Sequence, residues 1–142
     1  MPMAGRRTEM ETHPDIRTVT LAVQPGIFAI SRAAPDAPLP DFGNTHGFLA
    51  ITRTHDELSI IAPEQVVLEG FTSERGWRCL KVLGPLAFGE IGVLSSIAAP
   101  LAAAAISIVA VSTYDTDYVF VRDDAVDRAV EALRAAGHRI AL

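Results

Sequence analysis

Hydrophobic and polar positions alternate most regularly in the second half of the chain, where they predict the order β-α-β-β-α-β. The stretch "WRCLKVLG", residues 77–84, alternates as a strand. An uncharged run predicts a helix over 88–104 and then a strand over 106–112, since "ISIVAV" is β-branched. After the turn "TYDT" come a strand over 117–122, a helix in "DDAVDRAVEALRAAG" and an edge strand in "HRIAL". This order is typical of the ferredoxin-like fold, an α+β class with an antiparallel sheet and helices on one face.

Capping residues and a proline set the expected bounds of the two helices. Asp123 or Asp124 is placed to cap the start of the second helix, and Gly137 stands just past its end. Pro100 lies inside the first helix and has no N–H to donate to the Ser96 carbonyl. We therefore expect the first helix to be kinked or shortened in its final turn.

The first half of the chain is rich in short strands. "TVTLAV" and "IFAISR" flank Pro25-Gly26, which predicts a hairpin with a type II turn. "FLAITR" and "LSIIA" are two more short strands, and "THDE" between them is able to cap a brief helical turn. "PEQVVLEGFTSERG", residues 63–76, reads as a connector. We interpret this half as a degenerate copy of the second, with shortened helices.

These patterns divide the chain of 142 residues into three parts. Residues 1–16 are expected to form a flexible tail, 17–72 a degenerate N-terminal module and 73–142 a C-terminal module. Arg6-Arg7 is followed by no apolar segment, so a twin-arginine signal is not indicated and a cytoplasmic location is expected. The uncharged span between Glu90 and Asp115 is long enough for a membrane, but its Pro, Gly and Ser content favours a buried helix and strand.

Composition excludes several classes of function. Hydrophobic residues make up 49% of the chain, so it can form a core, and its net charge of -5 argues against binding nucleic acid. The single cysteine, Cys79, excludes an internal disulfide and is expected in the core. The four histidines have no zinc-ligand spacing, so we expect neither a metal nor a cofactor.

Two carboxylates interrupt an otherwise apolar strand pair in "AVSTYDTDYVF", residues 110–120. Turn chemistry explains Asp115 well and Asp117 less well, so Asp117 is a candidate to bind a cationic group. The helix start in "FGEIGV" offers unpaired N–H groups for an anion, although Glu90 is equally consistent with a residue that merely complements the helix dipole. From simple strand geometry we expect these two regions at opposite ends of the crossover, so that they meet only if the hairpin reaches over or a second module packs alongside.

Catalytic motifs are weak. Gly84 and Gly89 have the glycine spacing of a phosphate-binding loop, but Glu90 follows where that loop needs lysine. No nucleophile-and-base set is present, and His46 and His55 remain the only weak candidates for an enzyme. We therefore expect no enzymatic activity.

The segments "GPLAF", "EIGVLSSIAAPLA" and "ISIVAVSTYDTDYVFV" resemble small bacterial ACT-domain proteins. Through them the chain is similar to the ACT modules of the cytosolic arginine sensors of animals and of aspartate kinases. The resemblance covers residues 75–138 best, and "LAVQPGIFAISR" and "GFLAITRTHDELSII" extend it to a shorter N-terminal module. It implies tandem ACT modules that bind a small ligand, usually an amino acid, at a module interface.

The resemblance also implies a set of ligand contacts. They fall on Glu90, Gly92, Val93, Leu94, Thr113, Tyr114 and Asp117. We expect backbone N–H groups at 92–94 to hold a carboxylate, Asp117 or Glu90 to receive a positive group, and Tyr114 to cover an apolar part. Because the chain has room for two modules, a site between two C-terminal modules needs a homodimer. The alternative is a structural interaction module with a vestigial pocket that partners a metabolic enzyme.

Overall fold

The described part of the chain forms a mixed α+β structure with one open sheet of eight strands and two helices. A computed structural model describes residues 17–45, 47–66, 68–84, 86 and 90–142. The strands are β1 (Thr20–Val23), β2 (Phe28–Ala33), β3 (Ala50–Arg53), β4 (Leu58–Pro63), β5 (Thr72–Val82), β6 (Ile108–Ser112), β7 (Asp117–Arg122) and β8 (Arg139–Ala141). The helices are α1 (Val93–Ala103) and α2 (Val126–Ala135), the latter preceded by a single 3₁₀ turn at Asp123–Ala125.

The long strand β5 joins the two halves of the sheet. Along one edge its first part pairs with β2 and its last part with β1, both antiparallel. Along its other edge it pairs with β7, which in turn pairs with β6. One end of the sheet therefore has the order β8-β1-β5-β7-β6, and the other continues from β5 through β2 and β4 to β3.

Both helices cover one face of the β8-β1-β5-β7-β6 end. Alternate strand residues such as Leu80 and Val119 point to this face and are fully buried. They meet Ile97 and Leu101 of α1 and Leu133 of α2, each of which has no exposed surface. This cluster fixes the position of α1, and therefore of its first turn, over the sheet.

The opposite face of the sheet carries an aromatic cluster. Cys79 and Phe120 point to this side, one residue out of step with Leu80 and Val119. The ring of Phe48, from the loop before β3, lies 5.1 Å from that of Phe120 and 4.7 Å from that of Tyr118. The expectation that Cys79 is a core side chain is confirmed, since it is fully buried.

Three predictions for the first half were wrong. β1 and β2 do not pair with each other but lie end to end along β5, because the unusually long β5 offers hydrogen-bonding partners to both. The last five residues of the predicted connector, 72–76, are strand, since β5 begins at Thr72. "THDE" forms the tight turn between the antiparallel strands β3 and β4 instead of a helical turn, as the Thr54 hydroxyl accepts N–H groups two and three residues on.

The bounds of the helices also differ from the prediction. α1 begins at Val93 because Gly92 has a left-handed backbone with φ of 89°, which a helix cannot continue through. The predicted residues 88 and 89 lie outside the described part. Neither Asp123 nor Asp124 makes a capping hydrogen bond in the described residues; the carboxylate of Asp123 instead lies 3.5 Å from Arg78.

The last strand departs from the ferredoxin-like order. β8 pairs in parallel with β1, which lies between it and β5, so a strand from the first half of the chain is inserted into the C-terminal sheet. No helix occurs within residues 17–45, 47–66 and 68–84. The predicted tail, 1–16, lies outside the described residues. Neither of the two helices is long and apolar enough to cross a bilayer.

Candidate functional site

The ends of β5 and β6 and the start of α1 lie at the same edge of the sheet. Since β5 and β6 both run antiparallel to β7, they point the same way, and the helix between them begins where both strands end. The expectation that the helix start and the 113–117 corner lie at opposite ends was wrong. A helix that follows one strand and returns to the start of a parallel one must begin beside the end of that second strand.

An open cleft of about 660 Å³ separates the helix start from the corner. This volume is in the range of roughly 300–1,000 Å³ that small-molecule sites occupy. All seven residues selected from the sequence line it. The cleft is bordered by Leu86, Glu90, Gly92, Val93, Leu94, Ser95, Ser112, Thr113, Tyr114, Asp115, Thr116 and Asp117.

The first turn of α1 supplies backbone N–H groups to one wall of the cleft. The first bond of this helix runs from the Ser96 N–H to the Gly92 carbonyl, 3.0 Å long. The N–H groups of Val93, Leu94 and Ser95 precede it and have no acceptor within the helix. Gly92, the residue just before the helix, has no side chain with which to cap this end, and the first turn of the helix holds no acidic residue. It therefore keeps the partial positive charge of a helix N-terminus.

The opposite wall is the tight turn between β6 and β7. The Thr113 N–H donates to the Thr116 carbonyl at 2.8 Å, and the Thr113 hydroxyl lies 3.1 Å from the same oxygen. The buried Thr116 hydroxyl donates to the Val82 carbonyl at 2.7 Å. The Leu86 N–H donates to the Asp115 carbonyl at 2.8 Å. These two bonds attach the turn to the segment that leads from β5 into α1.

Close packing at Gly84 brings the turn and this segment together. A Cβ atom on Gly84 would lie 2.8 Å from the Leu86 nitrogen and 3.4 Å from the Asp115 carbonyl oxygen. The first of these distances is shorter than any real Cβ contact, so only glycine fits here without a shift of the backbone. The glycine that first suggested a phosphate-binding loop thus has a packing role in the structure.

The two candidate carboxylates have different partners. Glu90 forms an ion pair with Arg17, which lies just before β1. Asp117 accepts a hydrogen bond of 2.6 Å from the Ser112 hydroxyl. Within the part of the chain that the structure describes, Asp117 takes part in no ion pair. Of the two candidate carboxylates, one is therefore balanced by a cation and the other is not.

Sequence reasoning missed several residues of the cleft. The residues not selected were Leu86, Ser95, Ser112, Asp115 and Thr116. Ser112 lies five residues before Asp117 across a two-strand turn, a signal that was available. Tyr114 is 81% exposed, so within one chain it lies at the rim and does not close the cleft.

The remaining candidates for chemistry lie elsewhere. His55 is exposed in the turn between β3 and β4, and His46 lies outside the described residues. Burial raises the pKa of the Cys79 thiol to about 12, against a smaller lowering by Lys81, so this thiol stays protonated and unreactive. Among the described residues, no three His, Cys, Asp or Glu side chains are grouped to hold a metal ion.

Comparison with known proteins identifies the family. The model of the ACT domain matches residues 72–135, which include β5, both helices and the whole cleft. The chain belongs to the ACT-domain family. A second family model, which describes an N-terminal domain, matches residues 26–69. The chain is also homologous to the Cytosolic arginine sensor for mTORC1 subunit 1 of Pongo abelii, with 31% identity over 135 residues. That match covers 87% of this chain and 40% of the sensor's length.

Solved structures agree with this assignment. A protein from Agobacterium tumefaciens is 34% identical, with a TM-score of 0.81 over 87% of this chain and 92% of its own. The regulatory subunit of aspartate kinase from Thermus thermophilus, in its ligand-free form, is 13% identical. It has a TM-score of 0.61 over 85% of this ACT-domain chain and 99% of its own. The second likeness shows the ACT-like fold alone.

Proposed function

We propose that this ACT-domain protein is a non-catalytic sensor that binds an amino acid in the cleft between the start of α1 and the β6–β7 turn. The observation that carries the proposal is the pairing of opposite charges across the cleft. One wall presents the N–H groups of Val93–Ser95 and the other presents the Asp117 carboxylate. A small zwitterion complements both walls at once.

The carboxylate of the ligand belongs at the helix end. Three successive N–H groups and the positive end of the helix dipole favour an anion there. Gly92, directly before them, has no side chain to obstruct the approach. The homology to a protein named as an arginine sensor supports an amino acid as the ligand class, and L-arginine is the first compound to test.

The ammonium group of the ligand, or a cationic side chain, belongs at Asp117. Of the two acidic candidates, Glu90 already pairs with Arg17, whereas Asp117 has only a hydroxyl donor among the described residues. An added cation would therefore gain more at Asp117 than at Glu90. The Ser112 hydroxyl fixes the position of the Asp117 carboxylate before the ligand arrives.

We further propose that a second copy of the chain covers the cleft. Ile91 is 68% exposed and Tyr114 is 81% exposed at its border. The outward positions of α1 are uncharged, because they are Ser95, Ala99, Ala102 and Ala103. Large apolar side chains and an uncharged helix surface beside an open cleft are typical of a surface that becomes buried. Light scattering coupled to size exclusion should give twice the monomer mass of 15.2 kDa.

A thermal-shift screen of the twenty amino acids tests the function. A ligand at 100 times its Kd stabilises the fold by about 2.7 kcal/mol, which raises the Tm by on the order of 10 °C. Asp117→Asn keeps an acceptor for Ser112 and removes the charge, so it should abolish this rise. Asp56→Asn, at the exposed β3–β4 turn, is the matched control and should leave it unchanged.

Flat curves for all twenty amino acids would contradict the sensor and favour the interaction module. The uncharged surface of α1 is the observation that supports this second candidate. In that case the surface would still bind a partner protein, and the substitution Ala99→Glu would weaken the complex while Asp117→Asn would not. An equal ligand-induced rise in the wild type and in Asp117→Asn would remove Asp117 from the site.

A further inference from the structure

A proline in the middle of α1 leaves one carbonyl without its usual donor. In an α-helix the Ser96 carbonyl accepts the N–H of residue 100. Residue 100 is Pro100, which has no N–H. Ser96 is buried, with 4% of its surface exposed, so water does not readily replace the missing donor.

A histidine from the other end of the sequence supplies the missing donor. His138, just after α2, is buried with 4% of its surface exposed, and its Nε2 lies 2.8 Å from the Ser96 carbonyl oxygen. A carbonyl oxygen only accepts hydrogen bonds, so Nε2 carries the proton. The carbonyl that Pro100 leaves without a donor is thereby satisfied from outside the helix, and α1 continues through Pro100 to Ala103.

The second nitrogen of the same ring holds a different element. The Val19 N–H donates to His138 Nδ1 at 3.1 Å, immediately before β1. This bond requires Nδ1 to be unprotonated, in agreement with a proton on Nε2. The ring therefore connects the chain that enters β1 with the first turn of α1.

Ser96 directly follows the three residues whose N–H groups line the cleft. Its own N–H closes the first bond of the helix, to Gly92, and its hydroxyl donates to the Val93 carbonyl at 2.7 Å. A fixed Ser96 carbonyl therefore fixes the orientation of this turn. We propose that His138 is a positioning residue that holds the first turn of α1 in place for the ligand carboxylate; this inference rests on the function proposed above.

Two substitutions separate the two bonds of the ring. His138→Gln places an amide nitrogen near the position of Nε2 and retains a donor for Ser96. His138→Asn places an amide oxygen near the position of Nδ1 and retains an acceptor for Val19. Both should lower the Tm, since each loses one buried hydrogen bond. If His138 positions the helix, only the Asn variant should loosen the first turn of α1.

Hydrogen exchange followed by NMR measures that loosening without any ligand. In His138→Asn, exchange at the amides of Ser96 and Ile97 should speed up roughly tenfold more than at Val119 and Val121, which lie in the buried strand β7 and report global unfolding. In His138→Gln the two pairs of amides should change by the same factor. The inference would be overturned if the increase in exchange at Ser96 and Ile97, relative to that at Val119 and Val121, were the same in both variants.

A rescue experiment tests the same point independently. Pro100→Ala introduces an N–H that can donate to the Ser96 carbonyl. In that background, His138→Ala should increase exchange at Ser96 and Ile97 by a smaller factor than it does with Pro100 present. The same factor in both backgrounds would show that His138 does not replace the missing helix donor, and would overturn the inference.

Titration with L-arginine connects the position of the helix to binding. His138→Gln should keep the wild-type Kd within a few fold, and His138→Asn should raise it roughly tenfold. Equal Kd values in the Asn and Gln variants would contradict the positioning role. If wild-type protein binds no amino acid, the proposed function fails, while the exchange and rescue results still decide what His138 does to α1.

Discussion

Two tight turns at distant places in the sheet have nearly the same construction. In the β3–β4 turn the Thr54 N–H donates to the Glu57 carbonyl at 2.9 Å, and the Thr54 hydroxyl accepts the Glu57 N–H at 3.2 Å. In the β6–β7 turn Thr113 and Thr116 repeat both bonds, at 2.8 and 3.4 Å. The sequences "THDE" and "TYDT" both place Asp in the third position.

The surroundings of the two turns differ. Residues 54–56 are exposed, and no helix occurs in the described residues of the first half. The second turn is attached to Val82 and Leu86 and faces the start of α1. Threonine and aspartate at these positions are therefore enough to make a tight turn. The β6–β7 turn becomes part of a candidate site because the N-terminus of α1 lies across from it.

Gly84→Ala, which changes the surroundings of the β6–β7 turn only, should cause the largest loss of stability. The added Cβ of Gly84→Ala would lie 2.8 Å from the Leu86 nitrogen and would push the segment away from the β6–β7 turn. We expect a loss of about 3 kcal/mol in the free energy of unfolding, measured with urea. A loss below about 0.5 kcal/mol would mean that the two segments separate without strain.

Removing the hydroxyl that attaches the second turn should have the next largest effect. Thr116→Val keeps the shape of the side chain but leaves the Val82 carbonyl without its donor. The expected loss is about 2 kcal/mol in the free energy of unfolding, because the carbonyl stays buried. Glu57→Gln at the equivalent position of the exposed turn is the control, with an expected change near zero. Similar losses of unfolding free energy in both variants would contradict the claim that only the β6–β7 turn is attached to a neighbouring segment.

The long strand β5, which joins the two halves of the sheet, should respond to alkaline pH. The pKa of the Cys79 thiol rises from its usual 9.0 in the unfolded chain to about 12 in the fold, because of burial. Its contribution to stability is complete below pH 9 and is lost as the pH rises toward 12, by at most roughly 1.4 kcal/mol per pH unit. Urea titrations at pH 8, 9 and 10 should therefore show a steeper fall for the wild type than for Cys79→Ala. Parallel curves would contradict the burial of the thiol.

Replacing the equivalent threonines of the two turns should have the smallest effect on stability and should show the clearest difference in ligand binding. Thr54→Val and Thr113→Val each remove the hydroxyl bonds within a turn, at a cost of about 0.5–1.5 kcal/mol in the free energy of unfolding. Only Thr113→Val alters a wall of the cleft, so it alone should weaken L-arginine binding measured by calorimetry. Equal binding by both variants would contradict a role for the second turn.

Local patterns predicted the elements of the second half well. The strand over 117–122 agrees with β7, and the predicted helix and strand before it overlap α1 and β6. Alternation of apolar and polar residues acts within a few residues, so it can be read from the chain itself. The start of α1 was placed too early because the left-handed backbone of Gly92 is a property of the folded chain.

Long-range pairing was the part that the sequence did not predict. The insertion of β1 between β5 and β8 depends on hydrogen bonds between residues more than fifty positions apart, such as Leu21 and Val82. The pairing of Arg17 with Glu90, and of His138 with Ser96, has the same origin. The residues of the candidate site came from the family resemblance, and the structure brings them to one cleft; their binding role stays a prediction.

The central claim is that the helix end and the β6–β7 turn together hold an amino acid. NMR titration of the wild-type protein with L-arginine tests it most directly, because backbone amide signals report each wall separately. We expect saturable shifts at Val93, Leu94, Ser95 and Asp117, with no change at residues 54–57. Shifts confined to other parts of the sheet, or none with any of the twenty amino acids, would contradict it.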